Sequence, residues 1–329
     1  MSALNKKIKL TLGGFPHKAH ILTNDDTLPI VLFIHGGPGV PNRHGIITAH
    51  RDLTDSFTLV CYDQRGTGGS YFGAKAEDLT PERLTEDAAE LVEWLCKRFN
   101  KDKIFVFGGS WGSELASYLA CKHPEHIAAY LGIGQMVDGV KNEEISYAFA
   151  LEQAKKAGDT KSVKILEEIG EPINGVYKGG FDGLMAQRKI MTKYGGYSPN
   201  TKKRNLMYTF IKPMLLSGEY SIPDFIGAAL GYKFSLKVMW PLIAKTDLAK
   251  ECPKFETPYF IFDGRLDNNT PAALVEEYFA KIEAPRKELV WFENSGHNPM
   301  GDEPELFKKL MREKFCQIAA DLKAKGIRI

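Results

Sequence analysis

Short, solidly apolar runs recur along this chain and alternate with helical periods. Pro29–Ile34, Phe57–Tyr62, Lys103–Phe107, Ala128–Ile133, Pro258–Phe262 and Glu288–Phe292 read as strands of the kind buried on both faces. Between them lie helical patterns: one opened by Thr80-Pro81 and running to Phe99, one over Trp111–Lys122, one from Thr270-Pro271, and a closing amphipathic helix from about Pro304 to Lys325. Two alternating runs flank Gly13-Gly14 between Lys7 and Leu22 and predict a hairpin ahead of the first buried strand. A chain written this way is α/β, with a mostly parallel twisted sheet covered by helices on both faces.

The alternation lapses once. From Met136 to about Cys252 helical periods dominate and no strand run appears, so the stretch reads as a helical insertion into a single sheet. The predicted division is a core over 1–135, an insertion over 136–252 and the rest of the core over 253–329. The insertion is dense in aromatics, Tyr208 and Trp240 among them, and Tyr177–Lys203 is the best candidate for a mobile segment.

Composition narrows the class. Hydrophobic residues make up 43% of 329 and charged ones 26%, ample for a packed core rather than a disordered chain. A net charge of +2 with no block of either sign excludes a nucleic-acid footprint, and no apolar run approaches the length of a membrane span. No secretory signal is visible after Lys6, Lys7 and Lys9, and five scattered cysteines without a C-x-x-C suit a cytoplasmic protein. The expected partner is a small molecule or short peptide.

Chemistry concentrates at Gly108-Gly-Ser-Trp-Gly112, a G-x-S-x-G between a strand and a helix. So tight a turn needs small neighbours and lifts the Ser110 hydroxyl above the sheet edge, beside the positive end of a helix. Serine attacks poorly without an oriented base. Of eight histidines, His297 follows the last strand, on the sheet edge that Ser110 shares. His17/His20 and His123/His126 have H-x-x-H spacing without further ligands, and read as solvated or capping residues rather than a zinc site. Asp263 and Asp267 in Phe262–Pro271 both offer an acid to orient the base, or turn formers ahead of a Thr270 helix cap; spacing does not choose between them. Oxyanion donors are expected from the backbone N–H of Trp111 and of Gly37 in His35-Gly-Gly-Pro-Gly39, with His35 bracing its loop.

Together with Asp63-Gln-Arg-Gly-Thr-Gly-Gly-Ser70, Gly264-Arg-Leu-Asp267 and Gly296-His297, these motifs resemble the α/β-hydrolase fold, above all its proline iminopeptidase-like branch. The resemblance covers about Ile8–Lys122 and Thr257–Gly326. It implies Ser110 as nucleophile, Asp267 as acid, His297 as base and Gly37 with Trp111 as oxyanion hole, in a cofactor-free and metal-free serine hydrolase. It also implies that the insertion is a cap that roofs the site and selects substrates. Such peptidases grip a free amino terminus with cap acids beside tryptophans, whereas this insertion has one tryptophan, Trp240. Glu143, Glu144, Glu152, Glu219 and Asp224 are the acids that could serve, and Glu144, Glu219 and Trp240 are taken as substrate-binding candidates. Aminopeptidase is the first expectation and small-molecule esterase or lactonase the second. A third, a receptor that keeps the fold and only binds, would show a damaged triad, and all its pieces are present here.

Overall fold

The computed structural model describes residues 2–199 and 210–329. One eight-stranded sheet runs β1 (Leu4–Leu12), β2 (Phe15–Thr23), β4 (Thr58–Tyr62), β3 (Ile30–Ile34), β5 (Ile104–Gly109), β6 (Ile127–Ile133), β7 (Tyr259–Gly264), β8 (Lys287–Phe292) in spatial order. β1 and β2 form the expected hairpin, β2 meets β4 antiparallel, and every later pair is parallel. This is the α/β-hydrolase fold.

Pleating divides the apolar residues of each strand between two cores. Ile30, Leu32 and Ile34 face one side with α2 (Pro81–Phe99), α3 (Trp111–Lys122) and α10 (Ala272–Lys281); Val31 and Phe33 face the other with α1 (Arg43–Ala49) and α12 (Pro304–Ala324). Phe105 of β5 stacks on Phe315 of α12 with centroids 4.1 Å apart. The Thr80 side chain caps α2 by accepting from the Arg83 N–H, with Pro81 in the first turn. Thr270 behaves otherwise than expected. Pro271 is the residue preceding α10, and the Thr270 hydroxyl donates to the Asp267 carboxylate instead.

Between β6 and β7 the described residues form α4 (Gly139–Lys156), α5 (Thr160–Ile169), α6 (Phe181–Lys193), α7 (Lys212–Leu216), α8 (Ile222–Ile243) and α9 (Leu248–Glu251). α6 occupies much of the stretch read as mobile; residues 200–203 of that stretch, and Tyr208, lie outside the described residues. This helical group has its own core of Tyr147, Leu166, Tyr177, Leu184, Met191 and Leu236. It is tied to the sheet in two ways. Where it leaves and returns, Gly139 N–H donates to Thr246 O (2.9 Å) and Leu248 N–H to Val137 O (2.8 Å). Along α8, Gly227, Gly231 and Ser235 share one face against the 66–71 loop. A Cβ at Gly231 would lie 2.5 Å from Gly66 O, and Ser235 Oγ donates to that same oxygen at 2.9 Å. Small residues at this spacing let helix and loop backbones touch. No helix among the described residues is long and apolar enough to cross a membrane.

Candidate active site

Ser110 ends β5 and starts α3 with φ 56° and ψ −128°, a conformation a non-glycine residue holds only when its surroundings enforce it. Packing enforces it. A Cβ on Gly108 would lie 2.7 Å from Ser113 Cα, and one on Gly112 2.7 Å from His35 O, so neither neighbour can carry a side chain. The Ser110 N–H donates to Ile133 O at the end of β6 (2.9 Å), and its carbonyl accepts from Ser113 N–H (2.7 Å). The residue after it, Trp111, is the first of α3, where backbone N–H groups have no intrahelical acceptor. Gly36 presses on the same turn: a Cβ there would sit 3.0 Å from Ser110 Cβ. The His35–Gly39 loop therefore lies directly beside the serine, with Gly37 at φ 122°.

The Asp63–Ser70 motif holds these pieces in register. Gln64 joins two of them through three hydrogen bonds: its side-chain amide donates to His35 O (2.7 Å), its Oε1 accepts from Trp111 Nε1 (2.9 Å), and its backbone N–H donates to His35 Nε2 (3.1 Å). With Nε2 accepting, the His35 Nδ1–H donates to Gly36 O (2.9 Å), and burial holds this imidazole below its ordinary pKa. Asp63 takes Arg43 in two hydrogen bonds of 2.9 and 3.0 Å, and Arg65 grips Asp87 through two of 2.9 Å; all four side chains are buried. Removing one partner of so buried a pair strands the other charge, at a cost of about 3–5 kcal/mol.

His297 follows β8 and Asp267 follows β7, both almost fully buried. His297 Nδ1 donates to Asp267 Oδ2 at 2.8 Å. The carboxylate is itself held by the N–H groups of Asn269 (2.7 Å) and Thr270 (3.1 Å) and the Thr270 hydroxyl (2.6 Å). With Nδ1 donating, Nε2 is left as acceptor, and the Asn269 side-chain amide lies 3.1 Å from it. The ring rests on Gly134: a Cβ there would be 2.7 Å from His297 Cε1. Gly134 follows the Ile133 whose carbonyl holds Ser110 N–H, so serine and imidazole converge on adjoining residues at the end of β6. Tyr197, from the helical group, covers the histidine, with ring centroids 4.8 Å apart and its carbonyl accepting from His297 N–H (2.8 Å).

Asp263 takes a different place. Its carboxylate accepts from the N–H groups of Gly134 (3.1 Å), Gln135 (3.3 Å) and Gly264 (3.0 Å), clamping the turn on which His297 rests. Burial, then the charge of Asp267, pushes this carboxyl well above the ordinary range.

The other named residues scatter. Glu144 is exposed on α4. Glu219 is buried, with His20 Nδ1 2.6 Å and Arg43 Nη1 3.8 Å from Oε2. Asp224 lies beside Lys18 and Arg43, and Glu152 pairs with Lys156 on the surface. Trp240 is half-buried, donating from Nε1 to Gly175 O (3.3 Å), with the Arg188 guanidinium 5.5 Å from its ring centre. Glu143 is tied through Asn142 to the loop that carries Asn269. Asn142 Nδ2 donates both to Glu143 Oε1 (2.8 Å) and to Asn269 O (3.0 Å). Glu143 Oε1 also pairs with Arg188, while its Oε2 is buried without a partner among the described residues. Two readings need correction: His17 and His20 are neither solvated nor capping. Both lie buried on β2, His17 Nδ1 on Phe15 O (3.0 Å) and His20 Nε2 on Asn5 Oδ1 (2.7 Å). Gln64, Asn269 and Arg188 went unremarked in the sequence; the first two sit inside motifs already singled out, and nothing local marks Arg188.

A family model described as the alpha/beta hydrolase fold matches residues 29–169. Among curated proteins, a Bacillus subtilis protein named "Probable aminopeptidase YbaC" is 28% identical over 301 residues, 91% of this chain and 92% of its own length. The chain has the α/β-hydrolase fold and is similar to aminopeptidases of the proline iminopeptidase type. A proline iminopeptidase of Neisseria gonorrhoeae is 40% identical to this hydrolase over 107 residues, 32% of this chain and 31% of that protein. In three dimensions it aligns with the proline iminopeptidase of Mycobacterium smegmatis at a TM-score of 0.67 and 16% identity, over 97% of this chain and 100% of the other. It aligns with VinJ at a TM-score of 0.67 and 18% identity, over 95% and 99%. At such identities the structural likeness speaks for the fold alone.

Proposed function

We propose that this hydrolase is a serine aminopeptidase that releases an amino-terminal residue through an acyl-enzyme. The observation carrying the proposal is the Asp267–His297 pair laid over Gly134, next to the Ile133 carbonyl that holds the Ser110 amide. In this reading His297 Nε2 takes the Ser110 proton as the oxygen attacks an amide carbonyl. The N–H groups of Trp111 and Gly37 receive the oxyanion, and Asp267 keeps the imidazole in the tautomer that leaves Nε2 free to accept. His297 then protonates the leaving amine, and water enters by the same route to release the acyl group.

The preference for a free amino terminus rests on Glu143, which replaces Glu144 and Glu219 as the residue of choice. An unpartnered oxygen on a buried carboxylate is costly, and a substrate ammonium would satisfy it. The proline iminopeptidase and aminopeptidase relatives support the same substrate class, and the helical group between β6 and β7, which lays Tyr197 on His297 and ties Glu143 through Asn142 to Asn269, serves as the cap. The test is a fluorophosphonate probe with Ser110→Ala, followed by aminoacyl arylamides with and without N-acylation. Wild type should be labelled and the variant not. Free-amine substrates should be cleaved, N-acylation should abolish turnover, and Glu143→Gln should raise KM for them more than it lowers kcat. Equal labelling of both proteins refutes the nucleophile; cleavage of aryl esters alone refutes the aminopeptidase.

A further inference from the structure

Asn269 sends its hydrogen-bonding groups to three different parties. Its backbone N–H donates to Asp267 Oδ1 (2.7 Å). Its backbone carbonyl accepts from Asn142 Nδ2 (3.0 Å), a buried side chain at the start of α4 whose other amide hydrogen goes to Glu143 Oε1 (2.8 Å). Its own side-chain nitrogen stands 3.1 Å from His297 Nε2 and 3.5 Å from Nδ1. These last two distances fix where the amide sits. The ring nitrogens point away from each other, so a partner lying in the ring plane at Nε2 would be much farther from Nδ1, and one in the plane between them would run into Cε1. An atom this close to both lies over the face of the imidazole. The in-plane direction at Nε2 therefore stays open for the Ser110 hydroxyl.

We propose that Asn269 is a positioning residue for His297, and that Asn142 acts through it by fixing the Asn269 backbone from the helical group. The inference rests on the reading of Ser110, His297 and Asp267 as a triad. Asp267 holds the imidazole by one bond in the ring plane, from Nδ1. A single bond is a pivot. An amide laid on the face keeps the ring from tipping about that pivot, and a base has to be held within roughly 0.5 Å and 10–20° of its productive pose. The backbone that carries the amide is fixed at both ends of the peptide, by the acid on one side and by Asn142 on the other. One residue earlier, Asn268 N–H donates to Gly196 O (2.8 Å), so the helical group grips this loop twice. The aim of the base thus depends on a part of the molecule that takes no part in the proton transfer.

The test uses the full chain and two readouts: the second-order rate of labelling by a fluorophosphonate, which does not depend on the natural substrate, and kcat with KM on a free-amine aminoacyl arylamide. Asn269→Ala removes the amide and leaves both backbone bonds in place; Asn269→Leu fills the same space without an amide. Both should label more slowly by on the order of 10²-fold, with kcat falling in step, KM moving by less than about twofold and Tm staying close to that of wild type. Asn142→Ala should slow both readouts about 10-fold. The Asn142→Ala/Asn269→Ala double variant should be no slower than Asn269→Ala alone, because the first residue acts through the second.

Wild-type rates in Asn269→Leu would make the residue a space filler. Additive losses in the double variant would detach Asn142 from it. Slow labelling that appears in both 269 variants only together with a lost cooperative melt would make it a support for the loop and not for the base. Each of these results overturns the proposal. Equal labelling of Ser110→Ala and wild type is a separate outcome, since it removes the nucleophile and with it the triad on which the inference rests.

Discussion

Glu114 stands four residues after Ser110 on α3 and is completely buried. One carboxyl oxygen accepts from the Thr246 hydroxyl at 2.7 Å, and the other has no partner among the described residues. Burial, reinforced by the charge of Glu251 and opposed by the Thr246 hydrogen bond, pushes its pKa from 4.5 up to about 8. The folded protein therefore retains a proton at neutral pH that the unfolded chain has given up. A folded-state pKa above the unfolded one means that this group's stabilising contribution is complete below about pH 4.5 and drains away as pH climbs toward 8. The loss runs at roughly 1.4 kcal/mol per pH unit, on the order of 5 kcal/mol over the window. Glu114→Gln has nearly the same shape, keeps an acceptor for Thr246 and never ionises. It should cost about 1 kcal/mol near pH 5, where an amide donor replaces the carboxyl proton, and should be the more stable protein near pH 8. Urea unfolding followed by tryptophan fluorescence at pH 5, 6, 7 and 8 measures this, and the difference between the two proteins cancels the other titrating groups. Parallel lines for wild type and variant across that range would refute the protonated carboxyl.

Asp267→Asn and Asp263→Asn should fail differently. At 267 the two backbone N–H groups hold Oδ1, so the new amide nitrogen must face His297 Nδ1, donate to it and move the imidazole proton to Nε2; turnover should fall about 10⁴-fold in a folded protein. At 263 the amide keeps one acceptor oxygen and loses the other, leaving one N–H of the Gly134 turn facing an NH2, so the main effect should be a lower Tm, with residual kcat well above that of the 267 variant; the reverse order in kcat would overturn the assignment of the acid. Gly112→Ala forces a methyl group against the carbonyls of Ile34 and His35 and should cost about 3 kcal/mol or more, read as a shifted urea midpoint; an unchanged midpoint would show that the elbow has slack.

Some of this protein was legible in the residues alone, because the information is local. Apolar alternation within five or six residues places Val31 and Phe33 on one face and Ile30, Leu32 and Ile34 on the other, and the hairpin at Gly13-Gly14 follows from two residues that tolerate positive φ. The elbow at Ser110 is equally local, since Gly108 and Gly112 are the small neighbours its backbone demands. What only the tertiary structure decided are the partnerships across loops. Asp263 and Asp267 are both loop carboxylates after one strand, yet one clamps the Gly134 turn and the other meets His297, because the path from Gly264 to Thr270 turns just one of them toward a residue that follows another strand. His17 and His20 look like surface histidines until α2 brings Asp87 near the first and the α7–α8 connection carries Glu219 to the second. Glu143 differs from Glu144 only by a 100° step around α4, which buries one and exposes the other. Periodicity and turn chemistry are written in adjacent residues; the meeting of side chains far apart in the chain depends on loop trajectories and on what each helix packs against, and those exist only once the sheet has closed.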